Sequence, residues 1–296
     1  MRETCKLLDG KLLAKEIKSR IKEGLQKQLS YNSDLRTPKL TIYTDGLDEA
    51  SKVYLKNKKN ACEEVGISCD IVNTGPNNRF VINPDTDGAI LQLPVKNKKQ
   101  EEHFLNTITK LQDVDGLTLA NQADLYNGSK NYYDFVDSDD YYHQPCTPKG
   151  IMRLLRYNHI DVSGKHVLIV GRSNLVGKPL AMLMLQENAT VTLAHSKTDY
   201  KDLSFMLGEA DIIVSAVGKP NFINVDELTP GSVLVDVGIN RDPLTNKLCG
   251  DVYGTADEFK FRCSYRTPVP GGVGPMTVAM LLENTYNAWL VKNNLV

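Results

Sequence analysis

Apolar positions along the chain follow two different periods, one helical and one typical of buried strands. Near the start, apolar residues recur at every fourth position, which predicts an amphipathic helix; these residues are Leu13, Ile17, Ile21, Leu25 and Leu29. Short apolar runs then predict strands over residues 39–44, 68–73 and 88–93, with a helix over residues 48–65. Strands that alternate with helices indicate a parallel sheet covered by helices.

A second alternating series begins at His166. It continues with predicted strands over residues 190–193, 211–216 and 232–237 and ends in a helical pattern over residues 276–290. Two such series predict an α/β protein of two domains. The chain is expected to pass from the first domain to the second near residues 145–150 and to return near Val273. The last helix would then pack on the first domain.

The segment over residues 167–185 carries the clearest functional signal. An apolar strand ends at a glycine turn and runs directly into an apolar helix, with the spacing Gly171-x-Ser173-x-x-x-Gly177. Such a turn presents backbone N–H groups and a helix N-terminus to a phosphate. A serine stands where the common G-x-G-x-x-G pattern has its second glycine, so an ordinary strand-to-helix turn is the alternative interpretation.

The end of the next strand favours NADP over NAD. Sites that prefer NAD usually carry Asp or Glu there, which binds the ribose 2′-hydroxyl, whereas residues 195–198 read HSKT and the first carboxylate is Asp199. Ser196 can donate to a 2′-phosphate, and Arg172 can supply positive charge and a planar guanidinium. The alternatives are that Arg172 is a solvated turn residue and that Ser196 is a helix N-cap.

Composition narrows the class of protein. The 296 residues carry a formal net charge of −1, which gives no driving force for non-specific binding to nucleic acid or to an anionic membrane. The N-terminal residues contain no apolar run of signal-peptide length, and no apolar run elsewhere has the length of a membrane span. The six cysteines are scattered, without a C-x-x-C pair or a nearby histidine cluster, so no metal site is expected. Cysteines in this pattern predict reduced thiols and a cytoplasmic protein.

Polar residues on one predicted helix and one predicted strand are candidates for chemistry. Ser51, Tyr54 and Lys58 share one face of the helix over residues 48–65, although a lysine beside an aromatic ring is most often a surface pair. Gln92 lies in an otherwise apolar strand, where a buried amide needs hydrogen-bond partners.

Two loops are further candidates. The run DVDG over residues 113–116 places two carboxylates in a turn, which is more often an Asx-turn than a binding site. Residues 267–275 form a rigid loop of prolines and glycines before a helix, which suits backbone contact with a flat ligand.

Nine motifs in a fixed order resemble one family. They are YLKNK with a preceding serine, LQLPV, DVDG, PCTPKGI, VGRSNLVGKPLA, ATVTLAHSKT, SAVGKP, VDVGIN and PVPGGVGPMT. In this order they are similar to the bifunctional methylenetetrahydrofolate dehydrogenase/methenyltetrahydrofolate cyclohydrolase family. The resemblance covers nearly the whole chain, over residues 8–290.

The resemblance implies a two-domain α/β protein with a folate cleft between its domains. An N-terminal α/β catalytic and folate-binding domain would span residues 1–148 and be completed by the C-terminal helix over residues 276–296. A Rossmann-like NADP-binding domain would span residues 149–275. The resemblance also implies a homodimer that acts on tetrahydrofolate derivatives in one-carbon metabolism and purine biosynthesis. With NADP it would oxidise 5,10-methylenetetrahydrofolate to 5,10-methenyltetrahydrofolate, and it would hydrolyse this product to 10-formyltetrahydrofolate.

The resemblance further implies roles for individual residues. The catalytic set would be Tyr54, Lys58, Gln92 and Asp115, in which Tyr54 stacks on the folate rings, Lys58 transfers protons, Gln92 holds this lysine and Asp115 binds the pterin. Further substrate contacts would come from Leu93, Pro270, Gly271, Gly272, Val273 and Gly274. Cofactor contacts would come from Gly171, Arg172, Ser173, Ser196 and Ile239.

Two segments depart from the family pattern, and other functions stay open. The run YTDGLDEAS replaces a VGDxPAS-like run, and the tyrosine-rich segment over residues 126–144 is either a surface excursion or a lid over a ligand. One alternative is a dehydrogenase of the same family without the hydrolytic step. Others are a two-domain NADP dehydrogenase of the shikimate-dehydrogenase kind and a binding protein without catalysis.

Overall fold

A computed structural model describes residues 5–46, 49–75, 78–128 and 141–295, without the side chains of residues 49–53. The hypotheses about the side chain of Ser51 and about most of the tyrosine-rich segment therefore lie outside the described residues. Within these ranges, no helix combines the length and the apolar character needed to cross a membrane.

The elements alternate along the chain. The strands are β1 (Lys6–Leu7), β2 (Lys39–Thr44), β3 (Ser68–Asn73), β4 (Gly88–Leu91), β5 (His166–Val170), β6 (Thr190–Ala194), β7 (Ile212–Ser215), β8 (Ile223–Asn224), β9 (Ser232–Asp236), β10 (Asn240–Arg241), β11 (Leu248–Cys249), β12 (Val252–Tyr253) and β13 (Cys263–Arg266). The helices are α1 (Gly10–Tyr31), α2 (Glu49–Val65), α3 (Lys98–Thr107), α4 (Leu119–Asn127), α5 (Cys146–Tyr157), α6 (Gly177–Gln186), α7 (Tyr200–Glu209), α8 (Ala256–Arg262) and α9 (Val273–Lys292), and a 3₁₀ turn covers Val225–Glu227.

The chain divides into two compact units. We call Lys15–Cys146 together with Val278–Val296 the first unit, and Met1–Ala14 together with Thr147–Thr277 the second unit. The resemblance implied that the first fourteen residues belong to the first domain, whereas β1 pairs in parallel with β13 of the second unit. A strand of two residues is too short to carry a period that a sequence pattern can detect.

A parallel sheet with the strand order β1-β13-β9-β7-β5-β6 forms the centre of the second unit. Its strands β7 and β9 are buried along their whole length, as continuous apolar runs are in parallel sheets. In the register of β5 and β7, Val170 lies opposite Ser215. The segments that follow these two strands therefore start side by side at the same edge of the sheet, where open α/β sheets bind their ligands.

The first unit contains a smaller parallel sheet with the strand order β3-β2-β4. The observed bounds of β2 and β3 confirm the predicted strands over residues 39–44 and 68–73. Strand β4 ends at Leu91, two residues before its predicted end, and the N–H of Gln92 still donates to the Tyr43 carbonyl at 2.8 Å. Pro94 has no N–H with which to continue the pairing.

An aromatic core supports this smaller sheet. The rings of Tyr43, Phe80 and Phe104 pack against one another with centroids 5.4 to 5.8 Å apart. Leu91 belongs to the same buried cluster. The cluster therefore fixes the end of β4, from which Gln92 follows directly.

The last helix begins earlier than its hydrophobic period predicts. Helix α9 starts at Val273, so Gly274 and Pro275 lie in its first turn instead of in the preceding loop. The first N–H groups of a helix have no partner within the helix, and proline, which lacks an N–H, is tolerated there.

Candidate active site

A lysine and an amide meet in the first unit. Helix α2 directs Lys58 toward the end of β4, and its Nζ donates to Gln92 Oε1 at 3.0 Å. The other end of this amide, Nε2, donates to the Leu93 carbonyl at 2.8 Å. Because Nε2 is held in this way, the oxygen of Gln92 faces the lysine. The amide orients the lysine without placing a countercharge beside it.

Tyr54 lies one helical turn before Lys58 on α2. Residues four apart on a helix share a face, and the side chain of Tyr54 is 48% exposed while Lys58 is half-buried. The phenol ring is therefore accessible to a ligand on the same face of the helix as the amine.

The two carboxylates of the DVDG turn have different surroundings. Asp113 is buried, and its Oδ2 accepts from the Thr118 N–H at 2.7 Å and from Asn121 Nδ2 at 2.8 Å. It therefore stabilises the start of α4. Asp115, two residues later, is half-buried. The turn thus contains one structural carboxylate and one that faces the candidate site.

The electrostatics of Asp115 connect it to Lys58. Burial raises the pKa of Asp115, and the Asp113 charge acts in the same direction. The Lys58 charge and a hydrogen bond with the Cys146 thiol oppose this rise in pKa. Asp115 is therefore a carboxyl group that takes up a proton more readily than an exposed aspartate.

In the second unit, two glycines permit a tight turn after β5. Gly171 has φ +136°, and a Cβ there would lie 2.4 Å from the Ala216 carbonyl oxygen. A Cβ on Gly177 would lie 1.9 Å from the Gly171 carbonyl oxygen. Only glycine fits either position, because the nearest atoms belong to the backbone.

This turn leads into the N-terminus of α6. Ser173 shapes it, since its Oγ accepts from the Val176 N–H at 3.1 Å and its carbonyl accepts from the Lys178 N–H at 3.1 Å. In the part of the chain that the structure describes, no side chain caps the start of α6 at Val176. A helix N-terminus left open behind a glycine turn fits the pyrophosphate of a dinucleotide.

The segment after β6 distinguishes between the two interpretations of Ser196. Asp199 is the N-cap of α7, and its Oδ1 accepts from the Lys201 N–H at 2.8 Å. Ser196 is therefore not the cap, and the first carboxylate after β6 is engaged in capping. Ser196 and Arg172 are both exposed, so both can contact a ligand.

The proline–glycine loop also lies in the second unit. A Cβ on Gly10 would lie 1.8 Å from the Gly272 carbonyl oxygen, and the Lys11 N–H donates to the Gly271 carbonyl at 3.0 Å, so the loop packs closely on the start of α1. At its other end, a Cβ on Gly274 would lie 3.0 Å from Ile239 Cδ1. Ile239 is therefore adjacent to this loop, and its side chain is 42% exposed.

The predicted site residues thus fall into two groups. The first unit holds Tyr54, Lys58, Gln92, Leu93 and Asp115. The second unit holds Gly171, Arg172, Ser173, Ser196, Ile239, Pro270, Gly271, Gly272, Val273 and Gly274. Two further residues of interest were not predicted from the sequence. Cys146, in the PCTPKGI motif, contacts Asp115, and Asp251 is a buried carboxylate whose partners are distant in sequence.

Two models of one protein family match this chain. The family described as tetrahydrofolate dehydrogenase/cyclohydrolase matches with its catalytic domain over residues 8–115 and with its NAD(P)-binding domain over residues 145–293. The bifunctional protein FolD of Caldicellulosiruptor saccharolyticus is 41% identical over 294 residues, covering 96% of this chain and 100% of that protein.

Solved structures are similar over nearly the whole chain. The bifunctional FolD enzyme of Campylobacter jejuni is 37% identical with a TM-score of 0.86, covering 98% of this chain and 99% of that one. The FolD of Trypanosoma brucei, solved with NADP cofactor and an inhibitor, is 29% identical with a TM-score of 0.85, covering 99% of both chains. These similarities confirm the predicted two-domain α/β fold class and the resemblance read from the nine motifs.

Proposed function

Because this chain belongs to the tetrahydrofolate dehydrogenase/cyclohydrolase family, we propose that it catalyses two consecutive reactions of one-carbon metabolism. It oxidises 5,10-methylenetetrahydrofolate to 5,10-methenyltetrahydrofolate with NADP, and it hydrolyses that product to 10-formyltetrahydrofolate, a one-carbon donor for purine synthesis. The observation that carries the proposal is the hydrogen bond from Lys58 Nζ to Gln92 Oε1 at 3.0 Å. A protein that only bound folate would not need an amine held in this way.

The hydrolytic step requires proton transfer. Water adds to the cationic methenyl carbon and loses one proton. The ring opens when N5 leaves that carbon and gains a proton, while the new hydroxyl loses its own proton and becomes the formyl C=O. We assign the transfer to Lys58 Nζ, since a positioned amine can accept and return a proton. Gln92 supports this role because its oxygen holds one N–H of the lysine and adds no negative charge that would lock the amine in its charged form.

Tyr54 and Asp115 are the proposed binding groups for the pterin. The exposed ring of Tyr54 can stack on a flat heterocycle. Asp115 lies beside Leu91, Leu93 and Leu117, and its carboxyl group can hydrogen-bond the polar edge of a pterin.

The residues around the glycine turn are the proposed NADP site. When bound, NADP supplies the hydride acceptor for oxidation of the methylene carbon. Gly171, Ser173 and the start of α6 would hold the pyrophosphate. Arg172 and Ser196 would bind the 2′-phosphate, which accounts for a preference over NAD because Asp199 is engaged in capping α7. Ile239 would contact the cofactor from the segment that follows β9.

We further propose a homodimer in the cytoplasm, with the folate chemistry in the first unit and NADP binding in the second unit. All six cysteines lie in the described residues as thiols, as expected for a reducing compartment. Sedimentation analysis that finds only monomers would refute the homodimer.

One absorbance experiment tests both activities. Incubation with 5,10-methylenetetrahydrofolate and NADP should produce NADPH, and added methenyltetrahydrofolate should lose its chromophore at a rate proportional to enzyme. Lys58→Ala should abolish this hydrolysis while NADP binding is retained. Lys56→Ala, which removes an exposed lysine from the same helix, is the matched control and should leave both activities unchanged. If NADPH forms but methenyltetrahydrofolate loses its chromophore no faster with the enzyme than without it, the protein is a dehydrogenase without the hydrolytic step.

A further inference from the structure

Asp251 is a fully buried carboxylate that accepts hydrogen bonds from five donors. It lies between β11 and β12 in the second unit. The donors to Oδ2 are Ser215 Oγ (3.1 Å), the Val217 N–H (2.8 Å) and the Gly218 N–H (3.2 Å), and the donors to Oδ1 are the Lys219 N–H (3.1 Å) and Asn240 Nδ2 (2.8 Å). A buried charge is tolerated only when it is paired or fully hydrogen-bonded, and this one is.

These donors lie at the ligand-binding edge of the larger sheet. Ser215 is the last residue of β7, residues 217–219 form the loop after it, and Asn240 follows Ile239 beyond β9. Gly218 and Lys219 are exposed, so apolar packing does not hold them in place. Three successive N–H groups of this loop instead point inward to one carboxylate, which fixes the backbone of an otherwise solvent-facing segment.

The same loop contacts the glycine turn. The Ala216 N–H donates to the Val170 carbonyl at 2.8 Å. A Cβ on Gly171 would lie only 2.4 Å from the Ala216 carbonyl oxygen, so the loop and the turn are in close contact. A shift of the loop would therefore displace the turn that we assign to the pyrophosphate. On the other side, a Cβ on Gly238 would lie 2.2 Å from Asp251 Oδ1, so a glycine is required there to admit the carboxylate.

A second carboxylate holds Asp251 in place. The N–H of Asp251 donates to Asp236 Oδ1 at 3.0 Å, and the Val252 N–H donates to Asp236 Oδ2 at 2.9 Å. Asp236 therefore holds the backbone of Asp251, and the side chain of Asp251 holds the loop over residues 216–219. The two aspartates link the ends of β7 and β9, which are neighbours in the sheet.

We propose that Asp251 is a positioning residue for the dinucleotide. Its carboxylate holds the loop over residues 216–219 and the side chain of Asn240. The loop and Asn240 in turn hold Gly171 and Ile239, which contact the cofactor. The inference rests on the proposed function, since it assumes that NADP binds at this edge. Asp251 itself is buried beneath the loop, so it acts through the backbone groups that it orients.

The test compares Asp251→Asn with Asp211→Asn in the full-length protein. Asp211 precedes β7 at the opposite end of the strand and accepts from the His166 N–H at 2.9 Å, so its replacement is a matched control. In Asp251→Asn, one oxygen becomes an NH₂ group that faces N–H donors. We expect the KM and the Kd for NADP to rise at least tenfold, while the kcat for hydrolysis of methenyltetrahydrofolate stays within twofold. Asp211→Asn should change none of these values.

Hydrogen exchange without cofactor gives an independent readout. The amides of residues 217–219 should exchange at least tenfold faster in Asp251→Asn than in the wild type. Unchanged exchange together with an unchanged Kd for NADP would overturn the proposal, as would an equal effect of Asp211→Asn. If Asp251→Asn does not fold, Asn240→Ala, which removes one donor to Asp251, takes its place in the test. The proposal requires that Asn240→Ala have a higher Kd for NADP than the wild type, and it fails if the Kd is unchanged. Absence of NADP binding by the wild type would instead refute the proposed function, and the exchange measurement would still report whether Asp251 fixes the loop.

Discussion

Replacing Gly177 by alanine tests how closely the cofactor turn is packed. The added Cβ would lie 1.9 Å from the Gly171 carbonyl oxygen, 2.6 Å from its carbon and 3.0 Å from Arg172 Cα. Ordinary contacts begin at 3.4 Å, so the turn must move by 1.5 Å relative to α6. All three neighbouring atoms belong to the backbone, and a change of rotamer cannot relieve the overlap.

The displacement should affect cofactor binding more than stability. Overpacking of this kind destabilises a protein by about 1–3 kcal/mol, which leaves most domains folded. A misplacement of about 1 Å in a positioning element costs on the order of 100-fold in rate. We therefore expect kcat/KM for NADP to fall by roughly 10- to 100-fold, with a decrease of a few degrees in Tm.

The assay compares Gly177→Ala with Gly208→Ala. Gly208 lies in α7, where a Cβ would be 4.0 Å from its nearest neighbour, the Glu227 carbonyl oxygen. Alanine should stabilise that helix by roughly 0.5–1 kcal/mol, so the same substitution is expected to have the opposite sign there. Hydrolysis of methenyltetrahydrofolate serves as the internal standard for folding. A Gly177→Ala enzyme with wild-type kcat/KM for NADP would refute the argument from close packing.

Two further predictions follow from buried ionisable groups. Burial raises the pKa of Asp236 to about 6 from 3.8, against the opposing N–H groups of Asp251 and Val252, so between these values the folded state keeps a proton that the unfolded chain has lost. The stabilising effect of this proton is complete below pH 3.8 and disappears as the pH rises through about 6. Asp236→Asn should remove roughly 3 kcal/mol of this pH dependence of the free energy of unfolding, measured with urea. The same pH dependence in the variant and the wild type would contradict this. The Cys62 thiol donates to Cys69, which lowers the pKa of Cys69 with help from the Lys59 charge. Iodoacetamide should therefore modify Cys69 before the other cysteines, as mapped by mass spectrometry, and Cys62→Ala should slow the reaction; earlier modification of another cysteine would exclude this assignment.

Local patterns in the sequence predicted the features that depend on neighbouring residues. The bounds of β2 and β3 follow from runs of apolar side chains, and the shared face of Tyr54 and Lys58 follows from the helical period alone. The absence of a carboxylate directly after β6 could also be read from the sequence. Asp199, the first one along the chain, is close enough in sequence to cap the next helix.

Partnerships across the fold could not be predicted in this way. The pattern DVDG does not say which carboxylate is structural, because this depends on Asp113 reaching the Thr118 N–H and the amide of Asn121. The pairing of β1 with β13 joins residues that are more than 250 positions apart and involves only two residues of each strand. A polarity pattern identifies a residue as polar but does not identify its partner.

This distinction also explains why Asp251 escaped the sequence analysis although Gln92 did not. Gln92 interrupts an apolar run, and a polar residue in such a run needs partners wherever the rest of the chain lies. Asp251 stands between short strands in a segment where a polar residue is ordinary, and its donors come from the loop after β7 and from Asn240. The requirement that a buried carboxylate be saturated becomes visible only once the strand order places the ends of β7 and β9 side by side. A sequence pattern can therefore identify a polar residue that interrupts an apolar core element. It cannot identify a buried residue that orients a binding loop through partners from other parts of the chain.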